Sequence, residues 1–180
     1  MATGQRSLSH FIRTSSQGTA SIEFAAVASM LLLGVLNAVD VGFYLYHRME
    51  VENAAQAGAQ AAWTTCYDSS SMLPATVNCA GLNAAITAAI ESTSLGTSVS
   101  LASGYPTEGY YCVTTSNGLQ TVGSLTSKPT NCSATGNSNG TPSDYIQVGV
   151  TYGYAPLFGV TVMSALGINS ITMTSWMRLS

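Results

Sequence analysis

The longest apolar run of the chain lies between Phe24 and Tyr46 and reads FAAVASMLLLGVLNAVDVGFYLY. Its only clearly polar side chains are Ser29, Asn37 and Asp40. At a rise of 1.5 Å per residue, a helix of this run is roughly 35 Å long, whereas the hydrocarbon core of a bilayer is about 30 Å thick. The run therefore predicts a helix that crosses a membrane.

A narrower apolar pattern follows this run and continues the helix. Between His47 and Trp63, the stripe of apolar residues spaced three and four apart consists of Val51, Ala54, Ala55, Gly58 and Ala62. Side chains this small let another backbone approach closely. We predict one helix from Glu23 to Ala62, about 60 Å long, with a stripe that receives a small domain or a sister helix.

Beyond the helix the pattern changes to one short helix followed by strands. Residues 82–92, LNAAITAAIES, have apolar residues at helical spacing, whereas TSVSLASG, YYCVTTS and YIQVGVTYGYA are alternating or β-branched. In the last run, SITMTSWMRL, one face of the predicted strand carries Ile171, Met173, Ser175 and Met177. The pattern predicts an α+β protein with a small antiparallel sheet, divided into a leader at 1–18, a helix at 19–62 and a head at 63–180.

Composition supports a membrane-attached chain and argues against nucleic-acid binding. Only 7% of the residues are charged, whereas 46% are hydrophobic. Such a composition does not fit a disordered chain. The 180 residues include only five lysines and arginines, so the chain has no basic stripe for a phosphate backbone.

The distribution of charges predicts the orientation of the spanning helix. Arg6, His10 and Arg13 precede the apolar run. The acidic residues beyond Arg48 are Glu50, Glu52, Asp68, Glu91, Glu108 and Asp144, against the two later cations Lys128 and Arg178. The positive-inside rule then places the N-terminus in the cytoplasm. A cleavable secretory signal is the alternative, but its apolar region would be only about 7–15 residues long.

One carboxylate, Glu23, stands at the start of the apolar run, five residues after Gly18. Cleavage between Gly18 and Thr19 would give Thr19 a new α-amino group one helical turn from Glu23. An α-amine with a pKa of about 7.7–8 is mostly protonated at neutral pH, so it could neutralise the glutamate of the same or a neighbouring chain. The alternative is that the helix dipole and lipid headgroups stabilise Glu23, by roughly 0.3–1 kcal/mol.

Two segments resemble a known family. Residues 18–24, GTASIEF, followed by an apolar helix, resemble the processing site of type IV prepilins in the G-x-x-x-x-E-[YF] form of the tight-adherence (Flp/Tad) pilus system. Residues 22–63 are similar to the TadE-like minor pilins, with their NAA..GA..A tail. Residues 150–178, with a Y-x-Y-x-P-L element, are similar to the C-terminal strands of that family. The resemblance covers both ends of the chain and not its middle.

The resemblance implies a processed protein of the bacterial inner membrane with its head in the periplasm. A membrane aspartyl prepilin peptidase would cut after Gly18, Thr19 would be the mature N-terminus and Glu23 the carboxylate used in assembly. The implied partners are this peptidase, other minor and major pilins and the inner-membrane assembly platform. The implied role is structural: pilus initiation, priming or tip assembly, and through it adherence to surfaces.

Asn37 and Asp40 lie three residues apart on one face inside the predicted span. An ionised aspartate at such a depth costs at least about 2.5 kcal/mol unless it has a partner. We therefore predict that this face turns toward protein and contacts another minor pilin or the assembly platform. The alternative is that headgroups at the outer interface hydrate Asp40.

Four cysteines follow the helix: Cys66, Cys79, Cys112 and Cys132. An even number of cysteines on the predicted outer side favours two disulfides. Of the three connectivities, we favour Cys66 with Cys79 and Cys112 with Cys132, because each closes a short loop rich in Ser, Thr, Asn and Pro. A zinc site is disfavoured because C-x-x-C spacing is absent and both histidines lie outside the cysteine region.

The sequence offers no recognisable catalytic set and predicts neither a metal nor a cofactor. Neither histidine belongs to the head, so a Ser-His-Asp arrangement cannot form there. Glu91, Glu108 and Asp144 could meet in space, but their spacing does not predict it. Residues 127–144, SKPTNCSATGNSNGTPSD, have turn chemistry and predict a mobile surface loop. The alternative function is therefore a membrane-anchored adhesin that binds through this loop, and a tethered enzyme ranks third.

Overall fold

The computed structural model describes residues 8–66 and 71–180, with side chains from Thr19 onward. Helix α1 spans Leu8–Cys66 and so includes the whole predicted helix, ending four residues after Ala62. The chain forms two compact units. The first contains α1 up to Phe43 together with Pro156–Ile168, and the second contains Tyr44–Ala155 and Asn169–Ser180.

The helices and strands after α1 are short. The helices are α2 (Ala75–Asn78), α3 (Leu82–Glu91) and α4 (Val162–Ala165). Two single 3₁₀ turns lie at Gly96–Ser98 and Ser133–Thr135. The strands are β1 (Val99–Leu101), β2 (Thr107–Val113), β3 (Leu119–Thr121), β4 (Ser143–Gly153) and β5 (Ser170–Arg178). The α+β class predicted from the sequence is confirmed.

Strand β4 is the centre of a five-stranded antiparallel sheet. Strand β5 pairs with it from Tyr145 opposite Arg178 to Gly153 opposite Ser170. Along its other edge, the first half of β4 pairs with β2 and its second half pairs with β1. Strand β3 pairs with the free edge of β2 and so extends the sheet. The predicted alternation is confirmed on β5, where Ile171 is buried while its sequence neighbours on either side are exposed.

The core of the second unit forms where α1 packs on α3 and β4. The fully buried apolar residues of α1 are Val51, Ala54, Ala55, Ala59, Ala62 and Cys66. Gly58 marks the closest approach, because a Cβ atom there would lie 2.9 Å from Ile90 Cγ2 and 3.1 Å from Val148 Cγ1. The predicted stripe of small residues therefore receives the head of its own chain in this structure.

The two disulfides join the pairs that the sequence analysis favoured. Cys66, the last residue of α1, is bonded to Cys79. Cys112 in β2 is bonded to Cys132, which lies in the segment that leads to β4. All four cysteines are used.

The loop predicted at 127–144 is shorter and more structured than expected. Ser143 and Asp144 already belong to β4, and the Asp144 side chain is fully buried. Before them, the chain forms a bridge between Cys132 and Asn137. The predicted end of the loop at 144 was wrong because Asp144 is a polar residue at an inward-facing position of β4, where the pattern of a strand would have an apolar residue.

Candidate functional site

The part of α1 in the first unit presents large apolar side chains to its surroundings. Those that are exposed include Ile22, Phe24, Val27, Met30, Leu31, Leu32, Leu33, Val35 and Val39. Among the described residues, one helix is long and apolar enough to cross a membrane, and its most apolar stretch is not buried in the protein. Side chains of this size and number require an apolar environment.

Asp40 is the exception on this surface, because it is fully buried. Its Oδ1 atom accepts a hydrogen bond from the backbone N–H of Leu157, with 2.8 Å between nitrogen and oxygen. Its Oδ2 atom accepts a hydrogen bond from the hydroxyl of Thr161, which is itself buried. The carboxylate therefore bonds neutral donors of a segment more than 115 residues away in sequence.

Asn37, one helical turn before Asp40, binds the same segment. Its side-chain oxygen accepts a hydrogen bond of 2.8 Å from the backbone N–H of Val162, the first residue of α4. Its side-chain nitrogen donates to the carbonyl oxygen of Leu33 at 2.8 Å, which fixes the orientation of the amide. The start of a helix leaves N–H groups without partners, and Asn37 supplies one acceptor from outside.

We call these interactions the polar clasp, formed by Asn37 and Asp40 of α1 with Leu157, Thr161 and Val162. The sequence analysis predicted that this face of α1 turns toward protein. In the structure, the protein on this face is the chain's own segment Pro156–Ile168. No sequence pattern linked this segment to α1, although its charge-free run of 13 residues, PLFGVTVMSALGI, is conspicuous between two strands.

The remaining predicted site residues lie near the start of the spanning helix. Gly18 and Thr19 fall within α1, and Glu23 is exposed on it. The two neighbours of Glu23 in sequence are also exposed. Glu23 is therefore placed where another helix could reach it, while cleavage after Gly18 stays a prediction.

A second polar cluster lies in the head, around the buried Asp144. In the register of β2 and β4, Asp144 is opposite Tyr110, and Glu108 lies two residues before Tyr110 in β2. When Asp144 is ionised, neither of its carboxylate oxygens has a hydrogen-bond donor within the described part of the chain. Burial, the nearby charge of Glu108 and a side-chain hydrogen bond that protonated Asp144 shares with Glu108 raise the pKa of Asp144 to about 7, while the charge of Lys128 lowers it.

Glu108 and Tyr110, the two β2 neighbours of Asp144, make different contacts from each other. Glu108 accepts hydrogen bonds from the backbone N–H groups of Ala75 and Thr76, at 2.6 and 2.7 Å, and so holds the start of α2. Burial and the charge of Asp144 raise the pKa of Tyr110, and the Lys128 ammonium lies 5.2 Å from the centre of its ring. The strand register brings together Glu108 and Asp144, which their spacing in sequence did not predict.

This cluster is not arranged as a metal centre. Within residues 19–66 and 71–180, no three His, Cys, Asp or Glu side chains are placed to hold a metal ion. The residues that the sequence singled out as functional lie instead on α1, with Glu23 near one end of its exposed apolar part and the polar clasp further along. These features define a class: single-helix, membrane-anchored proteins with a small α+β head.

The comparison with protein families is more specific. Residues 18–60 match the model of the TadE-like protein family, so the chain carries a TadE-like region that includes Glu23, Asn37 and Asp40. The resemblance recognised in the sequence is thereby confirmed for this region and relates the chain to the Tad pilus. No curated protein and no solved structure matches the chain.

Proposed function

We propose that this protein is a minor pilin or pseudopilin of a Tad-type pilus that helps to initiate, prime or cap the pilus. The observation that carries the proposal is the position of Glu23, exposed on an apolar helix within the TadE-like region. A carboxylate there is of little use to a simple anchor. It is useful in a bundle of helices, where a cationic partner from a neighbouring chain can fix the register.

The proposed sequence of events begins at the inner membrane. The chain spans the membrane with its N-terminus in the cytoplasm and its head in the periplasm. The prepilin peptidase cuts between Gly18 and Thr19, and the new amino group of Thr19 pairs with Glu23 of the same or a neighbouring subunit. The apolar side chains of α1 contact lipid before assembly and other pilin helices after it.

The test compares two glutamates of the same helix. Glu23→Ala is expected to abolish pilus formation while the protein stays in the membrane fraction at its normal level. Glu52→Ala is the matched control, because Glu52 is also exposed on α1. Pili counted by electron microscopy that are equally abundant in both variants would contradict the proposal.

The cleavage step has a separate test. We expect the membrane-extracted protein to begin at Thr19 when its N-terminus is determined by mass spectrometry. Gly18→Val should retain the uncleaved chain, because a large side chain before the scissile bond is expected to exclude it from the peptidase. An intact N-terminus in the unaltered protein would overturn this part of the proposal.

A second candidate function, adhesion through residues 127–144, is favoured by a cleft beside this segment. The cleft has a volume of about 580 Å³, and its lining includes Lys128, Thr130, Thr141 and Arg178. Two cations at one cleft suit an acidic surface ligand. Deletion of 127–144 would remove Cys132 and the start of β4, so the sharper test is Lys128→Glu with Arg178→Glu. Attachment should fall while pili persist, and unchanged attachment would exclude this function.

A further inference from the structure

Pro156–Ile168, between β4 and β5, has an unusual surface for a connection between two strands. Loops normally carry polar residues because they face water. This segment has no charged residue, and its exposed large side chains are Leu157 (48%), Val160 (68%), Val162 (56%) and Leu166 (68%). A cluster of exposed apolar side chains on one short segment indicates that something apolar covers it.

The polar clasp fixes the depth at which this segment lies. Asp40 and Asn37 are six and nine residues before Tyr46, where the apolar run ends. At 1.5 Å per residue these positions are about 9 and 14 Å inside the run. Because Leu157 and Val162 bond these two side chains directly, they lie at the same depth as Asp40 and Asn37.

The backbone of the segment meets part of the requirement for such a depth, because half of its N–H groups have acceptors within the protein. Irregular backbone is tolerated inside a bilayer only where its polar groups find partners within the protein. Side chains of the polar clasp accept from the N–H groups of Leu157 and Val162. Later in the segment, four consecutive N–H groups donate hydrogen bonds to carbonyl oxygens of the same segment. They belong to Ala165, Leu166, Gly167 and Ile168.

We propose that Pro156–Ile168 is a re-entrant segment that lies in the outer leaflet of the membrane, with its exposed apolar side chains in contact with lipid acyl chains. The exposed apolar side chains of α1 in the same unit need the same environment. Asp40 is then present within the span because it binds this segment. The inference depends on α1 spanning a membrane, and it holds whether or not the protein assembles into a pilus.

The experiment measures the environment of position 160 in the full chain, reconstituted in phosphatidylcholine and phosphatidylglycerol vesicles. Val160→Trp is made in a background with Trp63→Phe and Trp176→Phe. Bromine atoms on lipid acyl chains are expected to quench most of its fluorescence, and aqueous acrylamide little of it. The matched control is Leu119→Trp, an exposed position of the sheet, which should show the opposite pattern.

Three outcomes decide the proposal. Quenching of Val160→Trp by brominated lipid, independent of the protein-to-lipid ratio, supports it. Quenching by acrylamide to the same extent as Leu119→Trp overturns it. Lipid quenching that disappears as the protein density rises also overturns it, because another copy of the chain is then the occupant. Where the tryptophan background does not fold, a benzophenone side chain at position 160 should form a lipid adduct in the native background, and a protein adduct would contradict the proposal.

Discussion

Among the residues that the structure describes, each of the two compact units buries one aspartate, and the surroundings of the two side chains differ in kind. Asp40, in the apolar first unit, has a hydrogen-bond donor at each carboxylate oxygen. Asp144, in the head, has no hydrogen-bond donor at either carboxylate oxygen among the described residues, and its pKa is raised to about 7. The first carboxylate therefore joins two segments of the chain, whereas the second links the stability of the head to pH.

The difference shows what burial of a carboxylate requires. In the first unit, donors from a distant segment compensate the loss of water around Asp40. In the head, burial and Glu108 make ionisation of Asp144 unfavourable, so the group takes up a proton more readily than a free aspartate. Burial alone thus does not reveal the role of an acidic residue, but its donors and its pKa do.

The largest expected effect comes from Asp40→Leu, which removes the acceptor for Leu157 and Thr161. Each hydrogen bond to a charged group contributes about 1.5–3 kcal/mol, so the loss of two such bonds should weaken docking of 156–168 onto α1 by roughly 3–6 kcal/mol. Hydrogen exchange of the Leu157 amide in nanodiscs measures this change. Asp40→Asn, which keeps an acceptor, should retain part of the protection, and full protection in Asp40→Leu would show that the clasp does not hold the segment.

The second largest expected effect is a dependence of the free energy of unfolding of the head on pH. Folded Asp144 has a pKa of about 7 against an ordinary value of 3.8, so between these values the folded state binds more protons than the unfolded state. The free energy of unfolding should therefore fall as the pH rises from about 4 to 7 and be independent of this group above 7. At about 1.4 kcal/mol per pKa unit this difference corresponds to roughly 4 kcal/mol, and screening by solvent around the cluster reduces the expected total to roughly 2–4 kcal/mol.

Asp144→Asn tests this dependence because the amide does not titrate. We expect a flatter pH profile and a more stable head at pH 8, measured by denaturant unfolding of the full chain in detergent with its disulfides intact. Glu91→Gln is the control, since Glu91 is an exposed carboxylate at the end of α3. Profiles of Asp144→Asn and the unaltered protein that run parallel would show that Asp144 does not titrate near pH 7.

The structural features that could be predicted from the sequence are those that depend on local patterns of residues. Helix α1, helix α3 and the alternation in β5 follow from residue spacing within a single element. The TadE-like resemblance and the favoured cysteine pairs also came from the sequence. Glu23 was recognised because one polar residue beside a long apolar run is conspicuous without any knowledge of the fold.

The missed features are contacts between distant residues. The segment that binds Asp40 is more than 115 positions away in sequence, and no pattern within PLFGVTVMSALGI predicts contact with α1. The proximity of Glu108 and Asp144 depends on the register of β2 against β4, which a shift of one residue would change. Strand β3 has only three residues, all exposed, so it carries no periodic signal.

The third expected effect uses two glycines of α1, one in each unit. Gly58→Val would place methyl groups where Ile90 and Val148 already lie within about 3 Å of the Cβ position. Overpacking of this kind costs about 1–3 kcal/mol, measured as a lower midpoint of denaturant unfolding of the head. Gly34→Val is the matched control, because no atom lies within 4 Å of its Cβ position. Equal effects of the two substitutions would contradict the close packing at Gly58.

The smallest expected effect is that of Lys128→Ala on the titration of Asp144. The charge of Lys128 lowers the pKa of Asp144, so its removal should move the stability loss to higher pH by a fraction of a pH unit. Because Lys128 is exposed, the shift should shrink as salt is added. Lys128→Arg keeps the charge and should leave the profile unchanged. If Lys128→Arg shifts the profile as much as Lys128→Ala does, the position acts through its contact with the Tyr110 ring and not through its charge.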